Sequence, residues 1–120
     1  LQPSWRKLVV APSRMLNFMV ERIDRETANQ KAGKKARIMA KLNGVLEPKV
    51  IQALYRGSQA GVPVDIVCRG VCALRPGVPG VSETVRVVSV VDRFLEHSRI
   101  YYFENDGNPD VYVGSADWMD

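Results

Sequence analysis

Ala36-Arg37-Ile38-Met39-Ala40-Lys41-Leu42 is a short apolar run with two basic residues spaced along it, and it reads as a strand. Pro48 then stands at the first position of a helix whose buried stripe is Val50, Ile51, Leu54 and Tyr55, and Gly61 ends it. Val62-Pro63-Val64-Asp65-Ile66-Val67-Cys68 is the next strand. Strand, helix, strand at this spacing predicts a crossover on a parallel sheet.

The pattern extends upstream. Leu8-Val9-Val10-Ala11, closed by Pro12-Ser13, predicts a buried strand leading into a helix over residues 14–32. Leu16, Met19, Val20 and Ile23 give that helix an apolar face, Glu21 and Arg25 an exposed pair, and Gly33 a stop. Two right-handed crossovers are therefore expected. Downstream, residues 74–81 carry two prolines and two glycines and predict an ordered loop. Residues 85–91, 98–103 and 111–114 are three further strand candidates, with a turn at 105–109. The fold class expected is α/β, with a mixed, largely parallel sheet flanked by helices.

At 120 residues, 46% hydrophobic and 25% charged, the chain suits one domain with a real core. That excludes a disordered tail and a disulfide-stapled miniprotein. The formal net charge of +4 is a modest hint of anionic partners. Cys68 and Cys72, with the single His97, cannot close a four-coordinate zinc site, and they read as small thiols in a reducing compartment. No stretch has the apolar length of a membrane span, and Trp5, Arg6 and Lys7 break any early signal-like core. The sequence opens on Leu1 and stops at Trp118-Met119-Asp120, so it reads as a domain from a longer protein.

Open α/β sheets bind ligands beyond the carboxyl ends of their strands. Arg14, Lys41, Asn43 and Arg69 are the polar residues expected there. Together they would suit a polyanion, phosphate above all. Arg69 stands out because Gly70 beside it would let a ligand reach the backbone. The competing reading of each is a surface charge on a buried stem. The basic cluster at 31–37 reads as a solvated helix end rather than a binding patch.

His97-Ser98-Arg99, Glu104 and Gly114-Ser115 resemble a degenerate phospholipase D signature, with Arg for Lys, Glu for Asp and a longer final gap. A longer string carries a closer likeness. Val67-Cys68-Arg69-Gly70-Val71-Cys72, Leu74-Arg75-Pro76-Gly77, Phe94-Leu95-Glu96-His97-Ser98-Arg99-Ile100-Tyr101-Tyr102-Phe103 and Ser115-Ala116-Asp117-Trp118-Met119 closely resemble bacterial polyphosphate kinases of the phospholipase D-like class. The likeness runs from about Lys7 to the end and is to the second of two related C-terminal domains.

That resemblance implies one phospholipase D-like domain over residues 1–120. It implies reversible transfer of the ATP γ-phosphate to inorganic polyphosphate through a phosphohistidine, with Mg²⁺. The phosphohistidine and the metal ligands belong to the preceding domain, so no metal site is expected here and the isolated segment is expected to be inactive. By motif, Arg69 corresponds to an ATP-binding arginine, and His97 to an ATP-contacting histidine proposed as general acid. Arg14, Lys41, Asn43 and Arg99 are candidate phosphate-binding residues on geometry alone. The partners expected are ATP, ADP, polyphosphate and the other domains of the chain. Nucleic acid and a transmembrane segment are not expected. A homo-oligomeric, cytoplasmic enzyme is expected, with membrane association an option for the full-length form. Two other readings compete: a phospholipase D-like phosphodiesterase or nuclease half, and a non-catalytic polyanion-binding module.

Overall fold

The computed structural model of the chain describes residues 4–7, 12–90 and 99–114. Its elements are β1 (Ser4–Lys7), α1 (Pro12–Lys31), β2 (Ile38–Leu42), α2 (Pro48–Ala60), β3 (Val64–Cys68), β4 (Val85–Ser89), β5 (Arg99–Phe103) and β6 (Asp110–Gly114). The strands form one sheet in the order β1-β6-β5-β2-β3-β4. β1 runs parallel to β6, and β2, β3 and β4 run parallel to one another. β5 runs antiparallel to both its neighbours, β2 and β6. The sheet is therefore mixed and largely parallel, as expected.

Its order differs from the simplest reading. β2-α2-β3 joins neighbouring parallel strands, but β6 and β5 stand between β1 and β2. The strand expected at residues 8–11 lies outside the described residues, and the first strand the structure shows is Ser4–Lys7.

The helices form where local chemistry permits. The carboxylate of Glu47 accepts the Lys49 N–H at 3.0 Å at the start of α2, and Pro48 loses no needed donor there. Gly61 closes the helix at φ 103°, in the left-handed region, donating to the Ser58 carbonyl at 2.9 Å. α1 and α2 pack closely because Gly57 has no side chain, and a β-carbon there would meet Thr27 Oγ1 at 3.2 Å.

Ile38, Ala40 and Leu42 of β2, Val64, Ile66 and Cys68 of β3, and Tyr101 and Phe103 of β5 alternate onto one face of the sheet. There they bury against Met19 and Ile23 of α1 and Val50, Ala53 and Leu54 of α2 in one core. Tyr112 of β6 joins it, edge-on to Phe18 with ring centroids 5.1 Å apart. Both helices lie on this face. Among the described residues no helix covers the other, so the helices flank the sheet on one side only.

Two details depart from the helical-wheel expectation. Arg25 does not pair with Glu21; it donates to Asp110 at 2.9 Å and to Glu26 at 3.4 Å, tying α1 to β6. Glu26 occupies the buried stripe below Met19 and Ile23, with no exposed surface.

Candidate functional site

In a parallel sheet the carboxyl ends of β1, β2, β3, β4 and β6 share one edge, and reversed β5 brings its amino end, Arg99, to the same edge. Here the loops after β2 and β3 do not splay apart. Arg69 donates its backbone N–H to the Leu42 carbonyl at 3.1 Å, which continues the ladder one residue beyond the strands. Val45 then donates to Val71 at 2.9 Å and Ala73 to Val45 at 2.8 Å, forming a parallel bridge between Val45 and Cys72. Buried Val45 and Leu74 anchor the pair of loops. Gly70 is the point of closest approach. A β-carbon on it would collide with the carbonyl oxygen of Asn43.

This zipped pair places Asn43 and Arg69 side by side at the mouth of the sheet. Arg69 is half-buried and Gly70 exposed, so the backbone beside the guanidinium is open to a ligand. A guanidinium presents five N–H donors in a fixed fork that matches two phosphate oxygens. Cys68 is fully buried behind the loop, its Sγ 3.6 Å from the Gly70 carbonyl. Burial pushes the Cys72 thiol above its ordinary range, ahead of the opposing pull of the Leu74 hydrogen bond. Both thiols are free, and the raised Cys72 thiol is the reverse of a reactive cysteine's lowered one.

The remaining candidates do not converge equally. Arg14 lies in the first turn of α1, exposed, at the same edge. Arg99 is only 6% exposed and alternates with Tyr101 and Phe103 on the helix-covered face. Lys41 is exposed and alternates with Ala40 and Leu42, so it lies on the face opposite the two helices. Lys41 and Arg99 thus stand on two sides of the sheet. His97 lies outside the described residues. Among the described residues no group of three or more His, Cys, Asp or Glu side chains could hold a metal ion.

Sequence reasoning missed two charged clusters. Glu26 accepts from the Arg37 N–H at 3.2 Å and from the Asn105 N–H, pinning both the α1–β2 loop and the β5–β6 turn. Its position seven residues after Met19 was the available signal. On the face opposite the helices, Asp65 accepts from Arg37 and Arg86, each at 2.9 Å. No local pattern marks that triad.

A sequence model of the family described as polyphosphate kinase C-terminal domain 2 matches residues 8–120. The chain belongs to that polyphosphate kinase family. A polyphosphate kinase of Thermosynechococcus vestitus is 54% identical over 98% of this chain, which spans 16% of that protein. One of Burkholderia multivorans is 63% identical over 85% of this chain and 15% of its own length. The crystal structure of polyphosphate kinase from Porphyromonas gingivalis superposes with a TM-score of 0.78 at 43% identity, covering 88% of this chain and 17% of that one. The chain thus spans about a sixth of these polyphosphate kinases, and the zipped edge bearing Arg69 falls within the matched span.

No helix among the described residues is long and apolar enough to cross a membrane.

Proposed function

We propose that residues 1–120 form one phospholipase D-like unit that binds ATP and polyphosphate within a polyphosphate kinase. The enzyme would transfer the γ-phosphate of ATP reversibly to polyphosphate through a phosphohistidine held, with Mg²⁺, by the preceding domain. On this reading Arg69 grips phosphate oxygens of ATP and His97 is the general acid. Asn43 borders the same ligand from the loop after β2, and Arg14 from the first turn of α1. Phosphoryl transfer needs positioning and neutralisation of charge on the phosphate oxygens, and a fixed guanidinium at a sheet edge supplies both. The reading is supported above all by the bonding of the Arg69 loop to the β2 loop, which fixes where the guanidinium is rooted.

The test is Arg69→Lys beside Arg69→Ala in the full-length enzyme. Arg69→Ala should raise KM for ATP by about tenfold or more, the loss of a charge-assisted hydrogen bond worth roughly 1.5–3 kcal/mol. Arg69→Lys should recover only part, because an ammonium keeps the charge and loses the two-point grip. Full recovery in Arg69→Lys would mean that only charge is read, and would favour the polyanion-binding module.

A further inference from the structure

The segment that joins α1 to β2 lies at the edge of the sheet opposite Arg69. From Lys31 to Arg37 it holds four basic residues and no acidic one, and all four are exposed. Asp65 pairs with Arg37, but among the described residues no carboxylate pairs with the ammonium groups of Lys31, Lys34 or Lys35. The α1 dipole favours a cation in its last turn, which accounts for Lys31 and not for Lys34 and Lys35 beyond the helix. The loop that carries these two is fixed. Lys34 donates its backbone N–H to the Asn29 carbonyl at 2.8 Å. Lys35 donates its own to the Asp106 carboxylate at 3.1 Å and accepts from the Asp106 N–H at 3.0 Å. Asn105 and Asp106 hold φ of 48° and 52° at this contact, so the loop is pinned by a turn kept against strain. Beside Lys31 a groove of about 540 Å³ opens between α1 and α2, lined also by Asp24, Thr27, Arg56 and Gln59. Arg56 donates to both oxygens of Asp24, at 3.1 and 3.3 Å, which neutralises the acidic lining residue and leaves Lys31 its charge.

We propose that Lys31, Lys34 and Lys35 form a second holding point for the polyphosphate chain, remote from the site of transfer. The proposal rests on the reading of this domain as a polyphosphate-binding unit. α1 has 20 residues, so about 30 Å separates its first turn, which carries Arg14, from Lys31. A polyphosphate long enough to span that distance meets both points. Its second contact is then intramolecular, and the enzyme holds the polymer more tightly with no change where the phosphoryl group moves. The residue type fits a chain that must advance. Ammonium groups on flexible stems neutralise charge in any register, whereas a guanidinium fork such as that of Arg69 grips two oxygens in one geometry. The pinned loop presents two of the three lysines from backbone already ordered, which lowers the cost of binding.

The test replaces all three, Lys31→Gln, Lys34→Gln and Lys35→Gln together, in the full-length enzyme and compares its binding of tripolyphosphate and long-chain polyphosphate. Kd for the long chain should rise by about tenfold or more, the loss of a linked second contact. Kd for tripolyphosphate and KM for ATP should hold, because neither ligand spans the two points. Arginine at the same three positions should restore long-chain binding, since the contact reads charge. An unchanged Kd for the long chain overturns the proposal, and so does an equal rise for both polyphosphates. Loss of binding to phosphatidylglycerol vesicles or to single-stranded RNA, with long-chain Kd unchanged, would also overturn it and assign the lysines to that partner. Arg69→Ala on the same preparation keeps the two readings apart. A raised KM for ATP there, beside wild-type long-chain binding in the triple variant, would remove the second holding point and leave the ATP site standing. The reverse pair of results would remove the ATP site and leave the holding point.

Discussion

Gly70 and the carbonyl oxygen of Asn43 lie so close that no β-carbon fits between them. The contact joins the loops that follow the two central parallel strands, one residue from the guanidinium proposed to hold ATP. Gly70→Ala must therefore separate backbone from backbone. The expected loss is about 1–3 kcal/mol of stability, as for other overpacked sites. KM for ATP should rise in the full-length enzyme as Arg69 shifts. Gly77→Ala is the comparator. Gly77 has φ 69° but nothing within 4 Å, so its substitution costs only backbone strain, about 1–2 kcal/mol. KM should not change. Equal KM in both variants would separate the Asn43–Gly70 contact from the site.

Glu26 offers a test by pH. Burial pushes its carboxyl above the ordinary 4.5, outweighing the N–H groups of Arg37 and Asn105 and the attraction of Arg25. The folded state thus holds the Glu26 proton to higher pH than the unfolded chain does. Stability from this group is greatest below pH 4.5 and declines as pH rises through the higher folded value. Glu26→Gln removes the titration but turns an amide donor toward Arg25, with a loss of about 1 kcal/mol. The advantage of the wild type over Glu26→Gln should therefore shrink from pH 4 towards pH 8, as measured by urea unfolding at each pH. An advantage that grows with pH would show that the hydrogen bonds outweigh burial.

Asp65 should behave in the opposite sense. Burial raises its pKa, but the hydrogen bonds and charges of Arg86 and Arg37 outweigh this and leave it below 3.8. Its contribution is present above pH 3.8 and is lost as pH falls through the lower folded value. Arg86 is 77% exposed, so the pair is screened and worth no more than about 1 kcal/mol. Asp65→Asn should cost about that much at neutral pH and nothing in strong acid. Chemical denaturation of both proteins across the acid range checks the sign.

These sites divide by what a sequence can carry. The span and caps of α2 were legible because Pro48, the stripe through Leu54 and the stop at Gly61 each have a local cause. So was the mixed α/β class. The insertion of β5 and β6 between β1 and β2 was not, because strand order depends on long-range pairing that leaves no period in the chain. Arg69 and Asn43 were placed together on strand ends alone, and the structure joins their loops. Lys41 and Arg99 were grouped with them. Period-two alternation, counted from the buried residues of β2 and β5, separates them onto opposite faces. Glu26 was hidden because a glutamate on a helix reads as solvated until the turn at Asn105, with its φ of 48°, supplies a buried N–H that needs an acceptor.

His97 is the residue on which the proposed chemistry turns, and its roles have separable signatures. An imidazole with an ordinary pKa of about 6.5 can give a proton to a phosphate oxygen in the transition state. Such a proton adds little to ground-state binding. His97→Ala in the full-length enzyme should then lower kcat by about 10²–10⁴-fold while KM for ATP changes little. If His97 only contacts the nucleotide, KM rises and kcat at saturating ATP holds. If it only supports the chain ahead of β5, thermal stability falls and activity follows the folded fraction. Measuring stability, kcat and KM on one preparation separates the three. The acid role also predicts that the descending limb of the kcat–pH profile, set by loss of that proton, disappears in His97→Ala. An unchanged kcat at saturating ATP would remove His97 from the chemistry and leave Arg69 to act with groups of the preceding domain.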